Sequence, residues 1–99
     1  MTCPDGFSVS VQASETHYCH PRDDVGPYSE VEIGYPSEWP EEWQLHREGD
    51  DGDVAGYVPV DLVVRVLLQH GWIVSGELPP MILPGAYHMM IAETVSRRE

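Results

Sequence analysis

In FSVSVQAS, Phe7, Val9, Val11 and Ala13 alternate with Ser8, Ser10, Gln12 and Ser14. That period of two predicts a half-buried strand over residues 6–19, ended at HPRDDVGPY by the turn chemistry of Pro21, Asp23, Asp24, Gly26 and Pro27. SEVEIGYP repeats the pattern, with Val31, Ile33 and Tyr35 on one side and Glu30, Glu32 and Gly34 on the other. This is a second strand, apolar on one face and acidic on the other. Pro36 and Pro40 interrupt the next stretch, so SEWPEEW reads as a loop or a single helical turn. WQLHRE and VAGYV flank GDDGD, a Gly/Asp-rich turn between two short apolar-bearing runs, which is a hairpin signature.

The pattern changes to a helical one in VPVDLVVRVLLQHG. Pro59 suits a helix start, Asp61 the positive N-terminal end, and Gly71 a C-terminal stop, giving a helix over 59–70. Asp61, Arg65 and Gln69 form one polar stripe, and Val60, Leu62, Val63, Val64, Val66, Leu67 and Leu68 cover the rest of the girth. A helix so apolar must be covered on more than one side, by long loops or by a second subunit. WIVSG reads as a short strand, and ELPPMILPG as a connector with buried Met81, Ile82 and Leu83. AYHMMIAETV alternates Tyr87, Met89 and Ile91 against His88, Met90 and Ala92 and is read as a last strand, although its methionines and alanines also suit a helix. The expected fold is one α+β domain over 1–99, with a small antiparallel sheet of about four to five strands packed against one main helix.

Charge sharpens the picture. The 99 residues carry a formal net charge of −12, with lysine and asparagine absent and all five basic residues arginine. Avoidance of AT-rich codons points to a GC-rich genome, bacterial or phage. Residues 23–53 hold eleven acids (Asp23, Asp24, Glu30, Glu32, Glu38, Glu41, Glu42, Glu48, Asp50, Asp51 and Asp53) against Arg47 alone. Such a balance excludes a phosphate-backbone binder, whose affinity rests on lysine and arginine. It fits a basic partner or a solvated face. On a strand Glu30 and Glu32 project from one side about 6.6 Å apart, and Glu38, Glu41, Glu42, Glu48, Asp50, Asp51 and Asp53 are placed to extend that array. Trp39 and Trp43 lie within it, either as interface anchors or as part of the core.

Other chemistry is weaker. THYCHP places His17, Cys19 and His20 together, with Cys3 upstream, but on a strand His20 points away from His17 and Cys19, so a zinc site needs the strand to break at Cys19. Cysteine catalysis at Cys19 is opposed by the acids Asp23 and Asp24, which disfavour a thiolate. GDDGDV lacks the spacing of a calcium loop, and the paired acids lack an evident substrate cleft for glycoside hydrolysis. No enzyme activity, metal or cofactor is expected. The start MTCPDGFSVS has neither a basic nor an apolar leader region, and no apolar run is long enough to span a membrane, so the expectation is a protein of the bacterial cytosol with free Cys3 and Cys19.

The acids from Asp23 to Asp53 give the chain a resemblance to the small acidic inhibitor proteins of phages and mobile elements, of the anti-CRISPR or DNA-mimic type. The resemblance is compositional and covers a third of the chain. It implies a partner with a basic protein surface, such as a nucleic-acid-binding complex, met without direct contact to nucleic acid or membrane. The rival expectation is an accessory module that self-associates, as a possible homodimer, through the exposed side of helix 59–70.

Overall fold

The structure, a computed structural model, describes residues 1–49 and 51–98. Three short strands, β1 (Ser10–Gln12), β2 (Glu30–Gly34) and β3 (Val54–Pro59), form an antiparallel sheet in the order β1-β2-β3. A short 3-10 segment, η1 (Glu41–His46), lies between β2 and β3, and two helices come after the sheet, α1 (Val60–Gln69) and α2 (Gly85–Ser96). The α+β class expected from the pattern is what the chain adopts, but with three strands and two helices.

Each departure has a local cause. The first strand keeps its alternation, with Phe7, Val9 and Val11 all buried, yet it stops at Gln12. There Ser14 turns the chain: its hydroxyl accepts the Thr16 N–H at 3.1 Å, and its carbonyl accepts the His17 N–H. WIVSG forms only a bridge between Ser75 and Thr2, because Gly71 and Trp72 both take positive φ to close α1, with Trp72 N–H donating to Leu67 O at 2.7 Å. The expected hairpin is reduced to a bridge between Arg47 and Ala55, since its first arm winds into η1. The segment read as a last strand is helical. Tyr87, Ile91 and Thr94 are its half-buried positions, a spacing of four and three that a helix places on one face.

The core lies between the inner sheet face and α1. Val11, Val31, Ile33, Ala55 and Val58 from the sheet meet Val60, Val63, Val66 and Leu67 of the helix, and all are buried. Arg65 and Gln69 are exposed and Asp61 is half-exposed, so the polar stripe faces outward as expected. The extra cover that α1 requires comes from within the chain, from η1 and α2. No helix among the described residues is long and apolar enough to cross a membrane.

A bulge distorts β3. Val31 pairs with Val58 but Ile33 with Ala55, so Gly56 and Tyr57 together oppose Glu32. Tyr57 takes φ 52° there, and its N–H leaves the ladder to donate to Tyr18 O at 2.9 Å. Loop 13–19 thereby crosses the outer face of the sheet. Gly56 is the residue that permits this, because a Cβ would stand 3.0 Å from Tyr18 Cβ.

Candidate functional site

The acids expected to form one array fall into three groups. Glu30 and Glu32, alternating with the buried Val31 and Ile33, lie on the sheet face turned away from α1. Glu32 has a structural task, accepting the Tyr18 N–H at 3.3 Å and so fastening loop 13–19. Glu38 and Glu42 lie instead against the end of α1. Glu38 is 3.6 Å from His70 Nε2, and Glu42 accepts from Gln69 Nε2 at 2.9 Å. Its own backbone N–H, then the Gln69 amide, hold the Glu42 carboxyl below its ordinary pKa. The expectation of one continuous acidic face is therefore corrected: β2 and η1 aim their carboxylates to different sides because the sheet and α1 are stacked between them.

The third group is the exposed one. Glu41 begins η1, and Glu48, Asp51 and Asp53 belong to the turn leading into β3; all four are exposed. Asp50 lies outside the described residues. Three hydrogen bonds fasten the ends of this turn. Glu48 N–H donates to Val54 O at 2.9 Å, Arg47 Nε to Gly52 O at 2.7 Å, and Tyr35 N–H to Asp53 O at 2.7 Å. Gly52 is required, since a Cβ there would run into the Glu48 carbonyl.

The two tryptophans, which the sequence leaves open between anchor and core, fall in different surroundings. Trp43 is 0% exposed, beside Phe7, with its indole N–H donating to Leu62 O at 3.2 Å, so it is a core residue and not an anchor. Trp39 is half-buried, and its ring is covered by the Arg47 guanidinium at 4.4 Å. The apolar side chains actually offered are one that the sequence pattern does not single out, Leu45, and one that it places on the inner face with Val31 and Ile33, Tyr35, which a positive φ of 51° just past the end of β2 turns outward instead. Leu45 in η1 is 94% exposed, and Tyr35, at the end of β2, is 70% exposed. The signal for Leu45 is its place in EEWQLH, two positions from Trp43, which a 3-10 turn puts on a different side from the buried indole.

Neutralisation within the chain is slight. Among the described residues no acid of the segment 23–53 forms an ion pair with an arginine; Glu38 has only His70. Arg47, the sole cation of that segment, gives its Nε to a backbone carbonyl and its face to Trp39. Asp23 and Asp24 act locally: Asp23 accepts the Val25 and Gly26 N–H groups, which lowers its carboxyl pKa, and Asp24 accepts that of Glu15.

The cysteine and histidine cluster disperses. Cys3 and Cys19 are both free and buried. Burial first, and Asp5 second, push the Cys3 thiol up, away from the reactive thiolate. Cys19 Sγ sits 3.2 Å from Ser14 O and 3.4 Å from Pro21 O, His17 Nδ1 bonds the Ser14 hydroxyl, and His20 is exposed at the sheet border. Among the described residues no three histidine, cysteine or acidic side chains gather as metal ligands would.

No family model matches the chain, and neither a curated protein nor a solved structure matches it.

Proposed function

We propose that the protein works by binding, without catalysis, and that it occupies a lysine- and arginine-rich protein surface through Glu41 at the start of η1 and the turn that carries Glu48, Asp51 and Asp53. Leu45 and Tyr35 supply apolar contact beside those carboxylates. The concrete form of this reading is an inhibitor of the anti-CRISPR or DNA-mimic kind, acting in a bacterial cell on a nucleic-acid-binding complex and denying nucleic acid its basic groove. One observation supports it above the others: the arginine available to neutralise these acids is engaged with Gly52 O and Trp39, which leaves the carboxylates to an outside cation. Holding like charges close together costs stability through mutual repulsion, a cost that a cationic partner offsets. Steering by such a field acts over a Debye length of about 8 Å at physiological salt.

The test is capture from a host lysate by the wild type, by the triple variant E48Q/D51N/D53N and by L45S. Capture that weakens steeply between low and high salt, and falls at least about tenfold in the triple variant, supports the reading. Capture indifferent to salt and to these substitutions overturns it.

A further inference from the structure

Two Asp-Gly steps occur in the chain, Asp5–Gly6 and Asp51–Gly52. Such a step is where a polypeptide rearranges most readily, because glycine sets no side chain between its own nitrogen and the carboxyl of the residue before it. Sequence alone gives the two steps equal reactivity, and both aspartates are exposed. The fold separates them.

At Asp5 both reacting groups are occupied. Its Oδ1 accepts the Phe7 N–H at 3.0 Å, its Oδ2 accepts from His70 Nδ1 at 2.6 Å, and the Gly6 N–H donates to Cys3 O at 3.1 Å. The bond from His70, then that from Phe7, hold the carboxyl below its ordinary value, in the ionised form that a nitrogen attacks poorly. At Asp51 the arrangement is the reverse. The bonds that fasten the turn use the carbonyls of Gly52, Asp53 and Val54. Among the described residues none holds the Asp51 carboxylate or the Gly52 N–H. Nor does the fold tolerate a protecting side chain at position 52, where a Cβ would run into the Glu48 carbonyl oxygen.

We propose that Asp51 is a site of spontaneous isoaspartate formation in the folded protein, and that the contacts to His70, Phe7 and Cys3 spare Asp5–Gly6. The Gly52 nitrogen, losing its proton to solvent, bonds to Asp51 Cγ, and a carboxyl oxygen leaves as water, which closes a succinimide ring. Water then opens the ring. Addition at Cγ restores aspartate, whereas addition at the Asp51 main-chain carbonyl frees that carbon as a carboxylate and carries the chain onward through Cβ and Cγ. The water lost in closure is regained in opening, so the mass is unchanged.

The consequence falls on the turn. The rearranged main chain is longer by a methylene between residues 51 and 52, which displaces Gly52 O from Arg47 Nε, its donor at 2.7 Å. If this turn binds the partner as proposed above, the rearrangement sets a working lifetime for that surface. The chemistry itself does not depend on that reading.

Incubation of the full chain at neutral pH and physiological temperature over several weeks is the test. Peptide mapping with electron-transfer fragmentation distinguishes isoaspartate from aspartate at each site, and methyl labelling by an isoaspartyl carboxyl methyltransferase gives the total. Isoaspartate should accumulate at Asp51 at least about tenfold faster than at Asp5, and the two rates should become comparable in urea, where the Asp5 contacts are gone. D51E, which needs a larger and slower-forming ring, should lose most of the methyl label with its Tm unchanged. Equal rates at the two sites in the folded protein overturn the proposal, as does a folded protein in which Asp51 is spared while the urea-unfolded chain rearranges there. Methyl label retained in D51E overturns it too. None of these readouts involves a partner, so the outcome is separate from that of lysate capture.

Discussion

His70 Nδ1 donates to Asp5 Oδ2 at 2.6 Å, joining residues sixty-five positions apart and fixing the N-terminal loop to the end of α1. The imidazole also stacks on Phe7, ring centroids 4.1 Å apart and planes 6° from parallel, while its Nε2 faces Glu38. One side chain thus gathers the N-terminal loop, the segment before η1 and the helix end.

This contact has a pH signature. The hydrogen bond from His70, and then that from the Phe7 N–H, hold the Asp5 carboxyl below its ordinary value. A depressed folded-state pKa contributes stability above the unfolded value of about 3.9, and that contribution is lost as pH falls through the folded value. D5A should therefore be less stable than wild type in urea unfolding at neutral pH, and the gap should narrow as the pH is taken below about 4. Comparing the two curves cancels the relief of overall repulsion that acid brings to both. A gap independent of pH would show that the loss comes from packing alone.

The two tryptophans of the acidic segment should separate in a stability measurement. W43A empties a fully buried site and removes the indole N–H bond to the Leu62 carbonyl, and a cost of about 3–5 kcal/mol is expected. A domain of ordinary stability has about 5–15 kcal/mol in total, so this variant should be largely unfolded at modest urea. W39A removes a half-buried ring and a cation–π contact of about 0.5–1 kcal/mol, and its urea midpoint should move less. Equal shifts would place both indoles in comparable surroundings, contrary to the structure.

Gly56 offers a third check. In G56A the new methyl group presses on Tyr18, an overpacking expected to cost about 1–3 kcal/mol. Because loop 13–19 is held by the Tyr57 N–H, amide exchange at Tyr57 should accelerate more than at Val31 or Ile33 in the same variant. Uniform acceleration would mean that the loop and the sheet open as one unit.

The sequence makes legible whatever depends on local period. The inward side chains of β1 and β2 and the polar stripe of α1 come from alternation and from the spacing of Asp61, Arg65 and Gln69. α2 escapes such a reading because Tyr87, Met89 and Ile91 alternate by chance over five residues, and only the longer run to Thr94 distinguishes a helix from a strand. The site is less legible, since its geometry depends on chain-distant contacts. Nothing local to EEWQLH says that Trp43 meets Phe7 or that Leu45 is left outside. Nor does any local pattern place Glu42 against Gln69 while Glu30 and Glu32 occupy the far face of the sheet.

The small size of the sheet constrains how anything can attach to it. β1 pairs over three residues, and just before it the Met1 ammonium and Val9 exchange hydrogen bonds, Met1 N to Val9 O and Val9 N to Met1 O. On the other border β3 is capped by Arg47 and by the Glu48 N–H, then runs straight into α1. The free edge is short, the three residues of β1, so an outside chain has little backbone on which to extend the ladder by strand addition. The same blunted borders guard a valine-rich sheet against edge-to-edge stacking into fibrils.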